Sequence, residues 1–355
     1  MNYLLANDTS NSMNPGCKGT VAVLRSCLAS CGLKEVAALP VGTGKEYFQE
    51  CHEEPWNPWK ERSWFDRLIY GTQPWAFHPA KVNLSAWHTA VQTWCESVDL
   101  SGADHVVINA EGTIHHNQGS ALALLGLAKI AQIKGIQVSL VNGTFQSMDP
   151  RVLREVLPGC WKVFVREPFS LRYLKRLSID SQLVPDCLFA YALPAASTER
   201  PYCLYSPGAL ADSHMISEAE IISELQAIQQ NGFEPIYIIM EDSDRRHASI
   251  AEGLGIPLAD MASQTMEQFM ELLGKSFAVL GGRYHLTIYA WLMQTQTAAR
   301  SSNTWKMEAV HKLAGLPWTR LDVRRSPLKT VCPSPAKLSE LKSQVLGAYR
   351  AGFTP

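Results

Sequence analysis

The sequence is defined first by what it lacks. Lys plus Arg (32) nearly equal Asp plus Glu (33), giving a net charge of −1 over 355 residues. No charge excess of either sign is present to wrap a nucleic acid or coat an acidic membrane. No apolar run approaches the roughly 18 residues of a membrane span. The longest candidate, Ala121 to Ile136, is interrupted by Gly126, Lys129, Gln132 and Lys134. Met1-Asn2-Tyr3-Leu4-Leu5-Ala6 has no basic segment ahead of it and is too short for a secretory leader. The nine cysteines are odd in number and scattered, with no Cys-x-x-Cys pair. That excludes a zinc ribbon and argues against a disulfide framework, so the expectation is a reduced, cytoplasmic enzyme with no metal.

Two nucleotide signatures are missing as well. Gly42-Thr43-Gly44-Lys45-Glu46 looks like a phosphate loop, but Leu39 and Glu46 stand where a glycine and a Ser or Thr are required. No Gly-x-Gly-x-x-Gly follows a strand.

What is present is an alternation. Short apolar runs at Tyr3–Ala6, Val36–Leu39, Asp104–Asn109, Gln137–Val141 and Val163–Val165 read as strands. Lys18–Ser30, Ala121–Lys134 and Pro168–Leu177 read as helices between and after them. The pattern restarts beyond Pro194–Pro201, with strands at Tyr202–Tyr205, Pro235–Met240 and Phe277–Leu280. Helices are expected there at Glu218–Gln230, Asp244–Leu254, Met266–Leu273, Leu286–Met293 and Thr304–Leu313, and a last one at Lys337–Tyr349. This is the signature of parallel sheets covered by helices. The expected architecture is α/β: two Rossmann-like domains, 1–193 and 194–325, facing a cleft, then a tail over 326–355. Ligands in such sheets bind beyond the C-terminal ends of the strands.

Candidate site residues therefore come from segments that follow strands. Asn14-Pro15-Gly16-Cys17-Lys18-Gly19-Thr20 sits between the first strand and the first helix, where small residues let backbone N–H groups meet an anion; the plainer reading is a glycine-containing turn. Asn109-Ala110-Glu111-Gly112-Thr113-Ile114-His115-His116 offers a carboxylate, a hydroxyl and two imidazoles. Its plainer reading has Glu111 capping the next helix and the histidines satisfying a buried loop. In Val165-Arg166-Glu167-Pro168-Phe169-Ser170, Arg166 would stand at a strand end facing the cleft; the plainer reading is an Arg166–Glu167 bridge.

Gly281-Gly282-Arg283-Tyr284-His285 carries the most chemistry. Arginine is a fork for carboxylate or phosphate, and histidine moves protons near neutral pH. Two such groups at a helix N-terminus are electrostatically misplaced unless an anion sits there. Ser301-Ser302-Asn303-Thr304-Trp305-Lys306 reads as a helix cap cluster with a lysine in the first turn.

These blocks, in this order, resemble the polysaccharide pyruvyl transferase family: Asn14-x-Gly16-Cys17, Asn109-x-Glu111-Gly112-Thr113-x-His115, Val165-Arg166-Glu167-Pro168-x-Ser170 and Gly282-Arg283-x-His285. Pro185-Asp186 and Asn303-x-x-Lys306 also fit, so the resemblance spans about residues 3–316. Ala110, Tyr284 and Met293–Thr297 depart from it. The resemblance implies two facing Rossmann-like domains of the B-type glycosyltransferase kind. It implies transfer of the enolpyruvyl group of phosphoenolpyruvate onto a sugar of a polysaccharide, such as an exopolysaccharide, or of a glycan precursor. A ketal forms and phosphate leaves. The acceptor is a sugar or glycan, free or lipid-linked, and phosphoenolpyruvate is the donor substrate, with no cofactor. His285 and Arg283 are then the expected catalytic pair. Gly16, Cys17, Lys18, Glu111, Gly112, Thr113, His115, His116, Arg166, Ser170, Gly282, Asn303 and Lys306 are the expected substrate contacts. The alternatives are a B-type glycosyltransferase using a nucleotide sugar and a non-catalytic glycan-binding relative.

Six of the ten tryptophans (Trp56, Trp59, Trp64, Trp75, Trp87, Trp94) fall in a proline-rich stretch near 52–98 that reads as an insertion. Aromatic faces stack on sugars, but the plainer reading is that they glue the insertion to its domain.

Overall fold

The structure is a computed structural model. It describes residues 1–51, 81–192, 201–208, 216–318 and 329–354. Trp56, Trp59, Trp64 and Trp75 lie outside the described residues. No helix among the described residues is long and apolar enough to cross a membrane. All nine cysteines carry free thiols.

The chain is α/β and divides into two compact units. The first comprises Met1–Thr9, Leu24–Cys187 and Gln344–Pro355; the second comprises Ser10–Val23 and Leu188–Ser343. Against the continuous division expected from sequence, two segments change sides. Residues Gly16 and Gly19 lie against His285 and Tyr289, which places Ser10–Val23 in the second unit. In the last helix, Tyr349 and Phe353 pack on Phe164, with ring centroids 5.8 and 5.9 Å away, so Gln344–Pro355 joins the first.

The first unit holds a six-stranded, all-parallel sheet in the order β2-β1-β3-β4-β5-β6. Its strands are β1 (Asn2–Asp8), β2 (Lys34–Pro40), β3 (His105–Asn109), β4 (Gln137–Gly143), β5 (Lys162–Val165) and β6 (Gln182–Leu183). Helix α1 (Pro15–Ser30) follows β1, and α2 (Leu84–Ser97) and α3 (Gly119–Ile133) flank β3. Helices α4 (Pro150–Val156) and α5 (Pro168–Arg176) complete the layers. Nearly every side of α3 is apolar, and ten of its residues, from Ala121 to Ala131, are buried. A helix of that kind belongs inside a core, and each fully buried leucine on it contributes about 1.5–3 kcal/mol.

Helix α2 narrows the expected insertion. Trp87 and Trp94 are buried on its inner face. Trp94 stacks on Tyr47 at 6.0 Å and meets Phe48 edge-on. These two tryptophans are core residues and offer no sugar platform. Gly44, at φ +80°, lies so close that an added Cβ would fall 2.4 Å from the Trp94 ring. The glycine-rich loop is thus shaped for an aromatic neighbour.

The second unit holds five parallel strands in the order β11-β10-β7-β8-β9. They are β7 (Tyr202–Ser206), β8 (Glu234–Ile239), β9 (Leu258–Asp260), β10 (Ser276–Gly281) and β11 (Gln296–Ala299). Its helices are α6 (Glu218–Gln230), α7 (Asp242–Arg245), α8 (Ala248–Gly253), α9 (Met266–Gly274), α10 (Tyr284–Leu292) and α11 (Lys306–Leu313), with α12 (Pro335–Phe353) ending the chain. The single helix expected over Asp244–Leu254 is two, α7 and α8; α7 begins at a reciprocal cap between Glu241 and Asp244, and His247 precedes α8. Strand order reverses beside β1 in the first sheet and beside β7 in the second. Open α/β sheets place ligands at such points.

Candidate functional site

In the first unit the reversal lies between β1 and β3, and a polar network fills it. Thr9 Oγ1 donates to Glu111 Oε1 (2.9 Å), which also accepts from Asn109 Nδ2 (2.8 Å). Asn7 Nδ2 donates to the Asn109 carbonyl (2.7 Å), and Asn142 Nδ2 to Asn109 Oδ1 (3.0 Å). Backbone strain concentrates here. Asn7, Glu111, His116, Asn117, Asn142 and Ser147 all have φ between +41° and +58°. Asparagine tolerates that region, but Glu111, His116 and Ser147 pay for it, as residues at functional sites often do.

Glu111 does not cap α3. The residue ahead of that helix is Gln118, which makes no side-chain cap. His115 and His116 are buried, with their Nδ1 atoms 2.8 Å apart, so one ring donates to the other. Burial pushes the His116 imidazole down to about 4, leaving it neutral. Gly112 and Thr113, between these groups, are half-buried.

Arg166 also differs from expectation. It is fully buried and pairs with Asp186: Nη1 donates to Asp186 Oδ2 (2.9 Å) and Nε to Thr144 Oγ1 (2.8 Å). Glu167 instead caps α5, accepting from the Phe169 and Ser170 amides at 2.6 and 3.0 Å. Ser170 Oγ is held internally by the Phe145 amide (2.8 Å) and by Glu167. Both Arg166 and Ser170 are buried inside their own unit.

In the second unit the reversal lies between β7 and β10. The turn after β10 is tightly packed: a Cβ on Gly282 would meet the Ser301 carbonyl at 3.3 Å, and one on Gly208 would sit 2.5 Å from Gly282 Cα. Arg283 follows this turn at the N-cap of α10. Its Nη1 donates to Glu241 Oε2 (2.6 Å); its Nη2 donates to Asp244 Oδ1 and Ser243 Oγ (both 2.8 Å). The anion that the sequence demanded at this helix start is thus supplied by the chain. Glu241 also accepts from Asn14 Nδ2 (2.7 Å). Burial pushes the Glu241 carboxyl up, but Arg283, Asn14 and Lys306 together hold it below the usual range.

His285 is half-buried in the first turn of α10 and rests on α1. A Cβ on Gly16 would fall 2.2 Å from the His285 Cβ, so only glycine fits there. Thr20 Oγ1, one turn along α1, lies 3.4 Å from His285 Nε2. Asn14 Oδ1 accepts from the Gly16 amide (2.9 Å) and starts the helix. Cys17 is half-buried and Lys18 exposed beside it.

The cap cluster at Ser301–Lys306 is rearranged. Trp305 is the residue at the N-cap of α11 and makes no side-chain cap. Ser301 Oγ donates to Glu308 Oε1 (2.6 Å), and Lys306 Nζ to Asn303 Oδ1 (2.9 Å). Glu241, Ser243 and Asp244 escaped the sequence reading, and Thr20, within the Asn14–Thr20 segment, was given no role of its own. The acidic run Glu241-Asp242-Ser243-Asp244 directly after β8 was the signal for the first three.

The model of one protein family, described as polysaccharide pyruvyl transferase, matches residues 41–303. The chain belongs to this family. It is therefore a transferase of polysaccharide biosynthesis, and the family implies a glycan acceptor. No curated protein matches this sequence. Solved structures resemble it in fold. A UDP-GlcNAc 2-epimerase from Neisseria meningitidis bound to UDP-GlcNAc is 9% identical, with TM-score 0.51, covering 99% of this chain and 98% of the other. The UDP-GlcNAc 2-epimerase of Methanocaldococcus jannaschii is 11% identical, with TM-score 0.53 over 97% and 92% of the two chains. The spinosyn rhamnosyltransferase SpnG is 13% identical, with TM-score 0.50 over 100% and 94%. At these identities the likeness is one of fold: this chain has the α/β architecture of B-type glycosyltransferases.

Proposed function

We propose that the protein transfers the enolpyruvyl group of phosphoenolpyruvate onto a sugar of a polysaccharide or glycan precursor. The product is a ketal, and inorganic phosphate leaves. The reaction needs a proton delivered to the donor's methylene carbon and two removed from sugar hydroxyls: the first hydroxyl adds to the carbon bearing phosphate as the methylene is protonated, and the second displaces phosphate, which leaves with the remaining proton. His285 is the group for the first of these steps. The observation that carries this reading is its setting: an imidazole at a helix N-terminus, fitted to Gly16, with Thr20 against Nε2.

The donor carries a phosphate and a carboxylate. Lys306, Lys18 and the N-terminal amides of α1 and α10 are its proposed partners, with Gly16, Cys17, Gly282 and Asn303 lining the approach. Arg283 acts through its neighbours, since both terminal nitrogens are engaged by Glu241, Ser243 and Asp244. Glu111, Gly112 and Thr113 are proposed to orient the acceptor. Arg166, Ser170, His115 and His116 are proposed to shape that segment from beneath.

Calorimetric titration of phosphoenolpyruvate into wild type and Lys306→Met tests the binding half. Saturable binding, weakened at least tenfold in the variant, supports the reading. Wild type that takes up no phosphoenolpyruvate overturns it.

A further inference from the structure

The reaction proposed above gives His285 a proton to move and leaves the Cys17 thiol without a chemical task. Cys17 lies in the first turn of α1, one residue after Gly16. Its Sγ is within 4.8 Å of a ring nitrogen of His285.

The tautomer of His285 follows from its neighbours. Thr20 Oγ1 gives its hydrogen to the Gly16 carbonyl at 2.8 Å. Only its lone pairs then face His285 Nε2, at 3.4 Å. In the neutral ring this arrangement suits a proton on Nε2, with the lone pair on Nδ1. Nδ1 lies against the start of α1: a Cβ on Gly16 would lie 2.8 Å from it. The Cys17 sulfur and the His285 imidazole thus lie together at the first turn of α1.

We propose that Cys17 Sγ and His285 Nδ1 bind a borderline-soft divalent cation of the zinc class, with water completing the coordination. Sulfur and imidazole are the ligands such ions prefer, whereas Mg²⁺ and Ca²⁺ take oxygen. A metal-bound histidine usually donates its second N–H to an outer partner that fixes the ring. Thr20 already occupies that place. On binding, the Cys17 S–H bond breaks, its proton passes to solvent, and a sulfur–metal bond forms; the Nδ1 lone pair makes the second bond. One proton is released per ion. Several of the other thiols are poor competitors. Burial pushes Cys27 and Cys51 up to about 11 and Cys160 and Cys203 up to about 12, so they stay protonated. One consequence rests on the proposed function: an ion on Nδ1 occupies the position at which His285 takes up the proton it delivers, so it inhibits transfer.

Co²⁺ titration of the full chain tests the site by absorption, independently of activity. The expected result is a near-ultraviolet thiolate-to-cobalt band that saturates at one ion per chain, with proton release, and is displaced by Zn²⁺. Cys17→Ser abolishes it, Cys203→Ala retains it, and Thr20→Val weakens affinity about tenfold. His285→Gln, checked for folding by its melting temperature, gives a second route and also loses affinity. No band in wild type, or a band that survives both Cys17→Ser and His285→Gln, overturns the proposal. A normal band with no Zn²⁺ inhibition of phosphoenolpyruvate turnover counts against the role given to His285 and leaves the metal site standing.

Discussion

Gly16 and His285 meet with no room for a methyl group between them: an added Cβ would lie 2.2 Å from the His285 Cβ. Gly16 is inside α1 and its backbone is helical, so alanine there would favour the helix by about 1 kcal/mol on propensity alone. The clash reverses that gain and displaces the imidazole. Gly16→Ala is expected to lower kcat at least tenfold while changing the melting temperature little. A variant with full activity would remove the close fit from the account.

The Arg283 guanidinium is shared by two carboxylates that differ in exposure. Asp244 is fully buried, whereas the Glu241 side chain is 39% exposed. Arg283→Met strands the Asp244 charge and is expected to cost about 3–5 kcal/mol, the usual loss when one partner of a buried pair is removed. Glu241→Gln is expected to cost under about 1 kcal/mol, because solvent screens it. Urea unfolding of the two variants checks the order; equal losses would contradict it.

Arg166 and Asp186 form an equally buried pair. Arg166→Met alone is expected to destabilise by about 3–5 kcal/mol. Adding Asp186→Leu should recover most of that loss, since the stranded carboxylate goes with it. Additive losses in the double variant would show that the pair is not coupled.

Burial holds the imidazoles of His105, His116 and His311 down at about 4, from an ordinary value of 6.5. Unfolded, each takes up a proton below about 6.5; folded, each resists until about 4. Their contribution to stability is complete above pH 6.5 and falls as pH drops from there toward 4. Unfolding free energy measured from neutral pH down to mildly acid pH should decline, and His311→Gln should flatten part of that slope. An identical slope in the variant would exclude His311 from it.

The strand–helix alternation was legible because parallel strands buried on both faces read as short apolar runs. Strands β9 and β11 were not, because Leu258-Ala259-Asp260 and Gln296-Thr297-Ala298-Ala299 carry little apolar bulk. The site segments could be placed because they follow strands. Their partners could not. Glu241 and Arg283 are 42 residues apart, Arg166 and Asp186 are 20 apart, and Thr9 and Glu111 are 102 apart. No local pattern encodes such pairings. Arg283 looked like a free anion fork because the carboxylates that claim it belong to a different loop.

The central claim is transfer from phosphoenolpyruvate by way of a proton added to its methylene carbon. Incubation with phosphoenolpyruvate and a panel of glycan acceptors in D₂O tests it directly, with phosphate release and the product's methyl group followed by NMR. The account predicts phosphate release that depends on acceptor, a ketal methyl carrying one deuterium, and loss of both in His285→Ala. Release of a nucleoside diphosphate from a nucleotide sugar, with phosphoenolpyruvate left intact, would contradict it.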